Sequence, residues 1–281
     1  MREMKKYVIS LAILATLLTS CASEFNRVYK TTDNDYKYEF AKECFARGKF
    51  TQAITLLQEL VTIQKGTDNA QECLYMLAMA EYCDRDYESA SETFKKYYQT
   101  YPKGIYAEQA AFYIGQSLYQ STPEPRLDQT ATVNAISAYQ DFLDFFPESQ
   151  LKAKASSRMF ELTDKLVLKE YLSAKLYYNL GDYFGNCTNG GSNFEACIVT
   201  SENALKTYPF TTMREEFAVL IMKSKYELAR QSVEDKKIER YRDAEDECYG
   251  FINEYPDSKN CDLAKNYIEK CKKHTSSIET E

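Results

Sequence analysis

Residues Tyr87-Glu88-Ser89-Ala90-Ser91-Glu92-Thr93-Phe94-Lys95-Lys96-Tyr97-Tyr98-Gln99-Thr100-Tyr101-Pro102 carry the pattern that decides the fold. Ala90, Phe94, Tyr97 and Tyr101 stand at offsets of 4, 7 and 11 from the alanine. Those offsets fall on one face of a helix with about 3.6 residues per turn. Pro102 then stops the helix, because proline lacks an amide hydrogen and its ring clashes with the turn before it.

The same frame recurs along the chain. Phe146-Pro147, Tyr208-Pro209 and Tyr255-Pro256 repeat the closing pair, and twelve residues before each proline stand Ala135, Cys197 and Ala244. From Ala135 the face reads Tyr139, Phe142, Phe146; from Ala244 it reads Cys248, Phe251, Tyr255. An earlier copy starts at Gly48-Lys49-Phe50 and places Ala53, Leu57 and Leu60 on the same spacing. A small residue lets one helix approach its partner closely, and the bulky residues that follow fill the gap to the next pair. Helices precede these too, marked by Leu74, Leu77, Ala78 and Tyr82 and by Ala110, Ala111, Ile114, Gly115 and Leu118. Such pairs must stack to cover their apolar faces. The pattern resembles the tetratricopeptide repeat, without its usual early tryptophan. The expected fold is all-α: a tetratricopeptide-repeat superhelix of about five helix-turn-helix units, spanning residues 34–273, with a short tail at 274–281.

The repeat spacing exceeds the standard length, which marks insertions. Ser121-Thr122-Pro123-Glu124-Pro125 reads as a stiff connector, and 185–193 as a Gly- and Asn-rich loop. Between Leu151 and Tyr183 there is room for two helices with a break near Leu168. Residues 261–273 read as a polar helix that caps the array.

Composition agrees. Only 9 Gly and 6 Pro in 281 residues favour long helices, and 44% hydrophobic with 27% charged residues suits a folded body. Tyrosine reaches 24 with no tryptophan; its apolar ring and polar tip suit half-buried contact surfaces. A net charge of −7 without a Lys/Arg-rich block argues against nucleic acid.

The N-terminus reads as an export signal. Arg2, Lys5 and Lys6 precede an uncharged, largely apolar run of 11 residues from Val8 to Leu18, too short for the roughly 20 residues of a spanning helix. Leu18-Thr19-Ser20-Cys21 follows and resembles the lipobox of bacterial lipoproteins. Residues 1–20 are then a cleaved signal peptide, Cys21 is acylated, and 21–33 form a tether. Cleavage removes a net charge of +2 (Arg2, Lys5 and Lys6 against Glu3) and leaves −9 from the original −7.

Eight further cysteines follow. Export permits disulfides, but connectivity is not legible in sequence. Most read as small buried helix-face residues; Cys187 and Cys197, flanking the Gly-rich loop, are the favoured pair. No C-x-x-C spacing occurs and His274 is the sole histidine, so no metal site is expected. With that histidine in the tail, no nucleophile has a base. No phosphate-binding glycine motif occurs. The many carboxylates read as solvated helix faces. The expectation is a protein without catalytic residues or cofactor.

Most tyrosines are core by spacing. Tyr36, Tyr38, Tyr106 and Tyr113 are candidates to line a protein-binding groove instead; pattern alone does not separate the two cases.

Particular stretches narrow the field. Tyr36-Lys37-Tyr38-Glu39-Phe40-Ala41 leads to Gly48-Lys49-Phe50-Thr51-Gln52-Ala53. Tyr101-Pro102-Lys103-Gly104, Pro125-Arg126-Leu127-Asp128-Gln129-Thr130, Asp164-Lys165-Leu166, Ala174-Lys175-Leu176-Tyr177-Tyr178 and Tyr255-Pro256-Asp257-Ser258 follow. With a lipobox ahead of such repeats, the chain resembles the BamD family of lipoproteins from the outer-membrane β-barrel assembly machinery. The resemblance implies a lipid anchor in the outer membrane and a periplasm-facing body. It implies that roughly 36–119 meet unfolded outer-membrane proteins. It implies that roughly 194–273 bind the barrel-forming assembly subunit through its periplasmic domains. It implies no small-molecule substrate. Ser201 stands where some members place a charged residue at the partner interface. Arg214 and Glu215, following the Tyr208-Pro209 turn, are interface candidates; an exposed helix start reads equally well. Two other classes fit an exported repeat array. One is a periplasmic scaffold for cell-wall or division proteins. The other is a glycan-binding lipoprotein, disfavoured here by the lack of tryptophan for sugar stacking.

Overall fold

A computed structural model describes residues 24–181, 183 and 192–278. Among them the regular structure is helical throughout. After α1 (24–29) come α2 (Asn34–Ala46), α3 (Phe50–Ile63), α4 (Ala70–Cys83), α5 (Tyr87–Thr100), α6 (Ala107–Gln120) and α7 (Thr130–Phe145). Then follow α8 (Lys152–Leu180), α9 (Asn193–Thr207), α10 (Arg214–Arg230), α11 (Glu234–Glu254) and α12 (Cys261–Ile278). No described helix is long and apolar enough to cross a membrane.

The chain forms two compact units. The first holds the described residues up to Pro123 together with Thr130–Phe160; the second holds Glu124–Gln129 and the residues from Glu161 onward. Within the first, α2 through α7 pack each on the next. Within the second, α9 through α12 do likewise, and α12 also touches α10. Neighbour-on-neighbour packing of short-looped helices is the tetratricopeptide architecture expected from sequence.

The small-residue frame holds in full. Ala53, Ala90, Ala135, Cys197 and Ala244 are each at 0% exposure. The bulky positions after them are buried too: Leu57 and Leu60, Phe94 and Tyr97, Tyr139 and Phe142, Cys248 and Phe251. The aromatic-Pro pairs close their helices alike. Tyr101, Tyr208 and Tyr255 sit at φ −129, −123 and −128 with ψ 62, 67 and 63, outside the helical region that a following proline forbids. Each carbonyl then accepts a turn bond from the amide three residues on: Gly104 at 2.9 Å, Thr211 at 3.1 Å, Ser258 at 3.1 Å, and Ser149 onto Phe146 at 3.1 Å. Within a pair the link is also fixed. Gly48 turns at φ 71 between α2 and α3, and Arg85 takes the same left-handed turn, φ 69, between α4 and α5.

One expectation is corrected. Residues 152–180 form one unbroken helix of 29 residues, not two with a break near Leu168; the stretch contains no Gly or Pro to interrupt it. The favoured partner Cys187 lies outside the described residues, and Cys197 is a free, buried thiol. It occupies the close-packing slot of α9, where the Ser201 and Ser224 hydroxyls face it. Ser201 itself is at 0% exposure.

Two boundaries also differ. Residues 24–29 of the expected tether are helical, and Val28 is at 0% exposure in the core of the first helix pair. At the other end α12 runs on to Ile278, through most of the expected tail, and buries Ala264, Tyr267, Ile268 and Cys271. The signal peptide and Cys21 lie outside the described residues.

Candidate protein-binding surfaces

The tyrosines of the first unit separate into core and surface. Tyr38 is buried on α2 among Phe40, Leu56, Leu57 and Leu60. Burial, together with the neighbouring Glu72 carboxylate, holds its phenol above the ordinary range. Tyr38 is therefore core. Tyr36 is 42% exposed on the same helix.

Tyr106 and Tyr113 belong to a shared aromatic strip. Tyr75 and Tyr82 lie two turns apart along α4 with Met79 between them, all half-buried. Tyr106 stacks on Tyr75 at 4.4 Å. Tyr113 stacks on Phe94 at 5.3 Å and meets Tyr82 edge-on at 5.1 Å. Beneath them Phe94 and Tyr97 fill the helix interface. Burial first, then the neighbouring phenols, push Tyr75 up; burial does the same for Tyr97 and Tyr113. The surface of the strip is apolar ring with phenol tips. Sequence reasoning missed Tyr75 as a member. Its signal was the seven-residue step to Tyr82, which places both on one helix face.

The strip continues into a cleft of ≈ 810 Å³ lined by Glu108, Phe112, Tyr113, Phe145, Phe146 and Lys154. Lys154 Nζ sits 5.4 Å over the Phe112 ring. Phe145 is 65% exposed at its rim.

Arg214 and Glu215 are built into their own unit. Glu215 accepts a hydrogen bond from Ser258 Oγ at 2.6 Å, and the same oxygen accepts the Asn260 amide at 3.0 Å. The first unit repeats this arrangement: Glu108 accepts from Ser149 Oγ at 2.5 Å, and Ser149 Oγ accepts the Leu151 amide at 3.0 Å. Both glutamates are the second residue of their helix. Each braces the aromatic-Pro turn that closes the next helix. Gln71, second in α4, takes the third such place, where Tyr97 Oη donates to it at 3.2 Å. Arg214 donates to Glu254 at 3.2 Å and to the Pro209 carbonyl at 3.3 Å. The two residues thus brace two turns, Glu215 the one at Tyr255-Pro256 and Arg214 the one at Tyr208-Pro209.

The Tyr208-Pro209 turn carries a different surface feature. Phe210 is 98% exposed. A second cleft, ≈ 650 Å³, lies between α8, α10 and the last turn, with Tyr171, Tyr178, Val219 and Lys223 among its lining. Among the described residues no group of three His, Cys, Asp or Glu is placed to hold a metal ion. Burial raises the Cys73 and Cys248 thiols to about 12 and Cys271 to about 11, so these are not activated nucleophiles.

Residues 30–190 match the YfiO family, described as outer membrane lipoprotein. The chain belongs to the YfiO family of outer membrane lipoproteins. Among YfiO-like relatives, the outer membrane protein assembly factor BamD of Caulobacter vibrioides is 22% identical over 177 residues. That match covers 62% of this chain and 58% of the relative. A BamD-named protein of Aquifex aeolicus is 31% identical over 136 residues, covering 48% of this chain and 43% of that one. The matches thus span about half the length of these relatives. A solved structure of TPR-like repeats from a Podosopora anserina kinesin light chain overlaps at TM-score 0.32 and 13% identity. It covers 87% of this chain and 95% of that one. An overlap so weak adds nothing; the fold rests on the helix pairs.

Proposed function

We propose that the chain is an outer-membrane protein assembly factor, anchored by acylation of Cys21 and facing the periplasm. It acts as a repeat scaffold and performs no catalysis. The observation that carries this reading is the family match over 30–190, supported by relatives named as outer membrane protein assembly factors.

The surfaces suit that work. The strip of Tyr75, Tyr82, Tyr106 and Tyr113, with Tyr36 on the neighbouring pair, offers rings and phenol tips to an unfolded outer-membrane protein. Such a chain presents alternating apolar side chains and open backbone groups. The second unit, with Phe210 and the α8–α10 cleft, would hold the barrel-forming subunit through its periplasmic domains. Arg214 acts there by holding the Pro209 carbonyl of the turn that displays Phe210, and Glu215 by bracing the neighbouring Tyr255-Pro256 turn.

The test is a crosslinked pull-down from detergent-solubilised envelopes, read by mass spectrometry. A large β-barrel protein with periplasmic domains should dominate, crosslinked to the second unit. Recovery of peptidoglycan-synthesis or sugar-uptake proteins in its place would overturn the reading. Separately, Cys21→Ser is expected to release the protein in soluble form; membrane retention of that variant would remove the anchor.

A further inference from the structure

The short helix α1 is fastened to the first helix pair at every step. Val28 is fully buried and Phe25 packs on the same cluster. Phe25 and Tyr29 stack at 6.1 Å. The link to α2 is capped twice in succession: Thr31 Oγ1 accepts the Asp33 amide at 3.2 Å, and Asp33 accepts the Tyr36 amide at 3.0 Å. Lys37, 2% exposed, donates to both Glu59 oxygens at 2.9 Å, and its Nζ lies 6.0 Å from the Tyr29 ring centre. A buried lysine needs such a partner, and the pair fixes α2 to α3 beneath Tyr29.

Only Ala22 and Ser23 separate Cys21 from the first described residue, Glu24. Three residues reach about 11 Å at full extension, roughly one helix diameter. An acylated Cys21 therefore cannot act as a long leash. Its acyl chains lie in the bilayer and α1 is bound to lie at the headgroups. The outward residues there suit that place. Arg27 and Lys30 are exposed, and Tyr29 is 48% exposed between them. Over 24–32 a single acid, Glu24, stands against Arg27 and Lys30, although the cleaved chain carries −9 in all. Cations flanking an interfacial tyrosine match a phosphate-bearing lipid surface.

We propose that α1 is a membrane-seated collar, in which Arg27, Tyr29 and Lys30 dock on phospholipid headgroups and hold the first repeat at the bilayer. This rests on the acylation of Cys21, and the test separates the two. The full acylated chain carries an environment-sensitive fluorescent residue at Asn26, exposed on α1, in vesicles of phosphatidylethanolamine and phosphatidylglycerol doped with brominated lipid. Flotation reports the anchor and quenching reports the collar. A flexible insert of about twelve Gly and Ser residues between Ser23 and Glu24 relieves the short reach. Quenching should persist with the insert and fall several-fold when Arg27→Glu and Lys30→Glu are added to it. Loss of quenching from the insert alone, or indifference to the charge reversal, overturns the collar while flotation leaves the anchor standing. A chain that does not float overturns the anchor, and the collar with it.

Discussion

The closing helices α7 and α9 share one frame and fill it in opposite ways. In α7, Ala135 is followed by Tyr139 and Phe142, both buried. The room comes from the facing helix, where Gly115 lies so close that a Cβ there would stand 2.9 Å from the Tyr139 ring. In α9 the same positions are Cys197, Ser201 and Ala204, all small. The bulk comes from the other side, with Val167 of α8 and Phe217 and Leu220 of α10 packed against them. What the frame specifies is the filled volume between helices, and either partner can supply it.

The sharpest way to break that comparison is to truncate the same position in each unit. Tyr139→Ala removes a buried ring and its hydrogen bond to Gln116 Oε1 at 3.0 Å. It should cost about 3–5 kcal/mol in denaturant unfolding. Ser201→Ala removes a buried hydroxyl and almost no volume, and should stay within about 1 kcal/mol. Equal losses at both sites would mean that α9 does not use the frame as described.

Gly115 tests the converse. Gly115→Ala pushes a methyl against the Tyr139 ring, which is buried and has no space to retreat. A loss of about 1–3 kcal/mol is expected, despite alanine's better helix propensity. If the variant gains stability, the close approach is not what fixes this pair.

The turn braces are a feature the two units share. Glu108→Ala and Glu215→Ala should each cost about 1 kcal/mol, and similar values would show one device used twice. Arg214→Ala breaks a half-exposed pair with Glu254 and should cost under about 0.5 kcal/mol.

Buried charge divides the units again. Glu81 is buried on α4, whereas the buried polar residues of the second unit are Gln129, Asn193, Ser201 and Ser224 among those described. Burial raises the Glu81 carboxyl above its ordinary 4.5. A raised acid favours folding at low pH; as pH climbs past 4.5 the unfolded chain ionises first and stability drains away. Glu81→Gln should therefore stabilise the protein at pH 7, and the gain should vanish near pH 4. A gain that is equal at both pH values would mean the carboxylate is not the cause.

How much of this was legible depended on whether the signal was local. The small residue, the aromatic offsets and the closing proline sit within about four turns of one helix, so the sequence pattern alone located every closing helix. The long α8 was misread because surplus spacing shows that residues are present and not how they fold; no breaker stood in 152–180, and that was the better guide. The core role of Tyr38 and the mixed role of Tyr106 and Tyr113 depend on α3 and α4, which pack from other parts of the chain. Cys197 flanks the Gly-rich loop in sequence, and its place in the repeat frame, shared with Ala90, Ala135 and Ala244, marked it as core. The bracing role of Glu215 needed Ser258, 43 residues away.

Phe210 is the smallest effect on stability and the most direct question about function. The residue after the closing proline is Lys103, Glu148 and Asp257 in three copies, all charged and exposed. Only the fourth copy puts an aromatic there, 98% exposed. A side chain so open contributes nothing to packing, so Phe210→Asp should leave unfolding unchanged to within about 0.5 kcal/mol. Apolar exposure is a cost that a lone monomer has no use for, and buried aromatic anchors dominate protein interfaces. The same variant should therefore lower recovery of the barrel-forming subunit in the crosslinked pull-down, while Asp257→Phe, the mirror change at the last turn, should not replace it. Full recovery with Phe210→Asp would move the partner surface away from this turn, to the α8–α10 cleft alone.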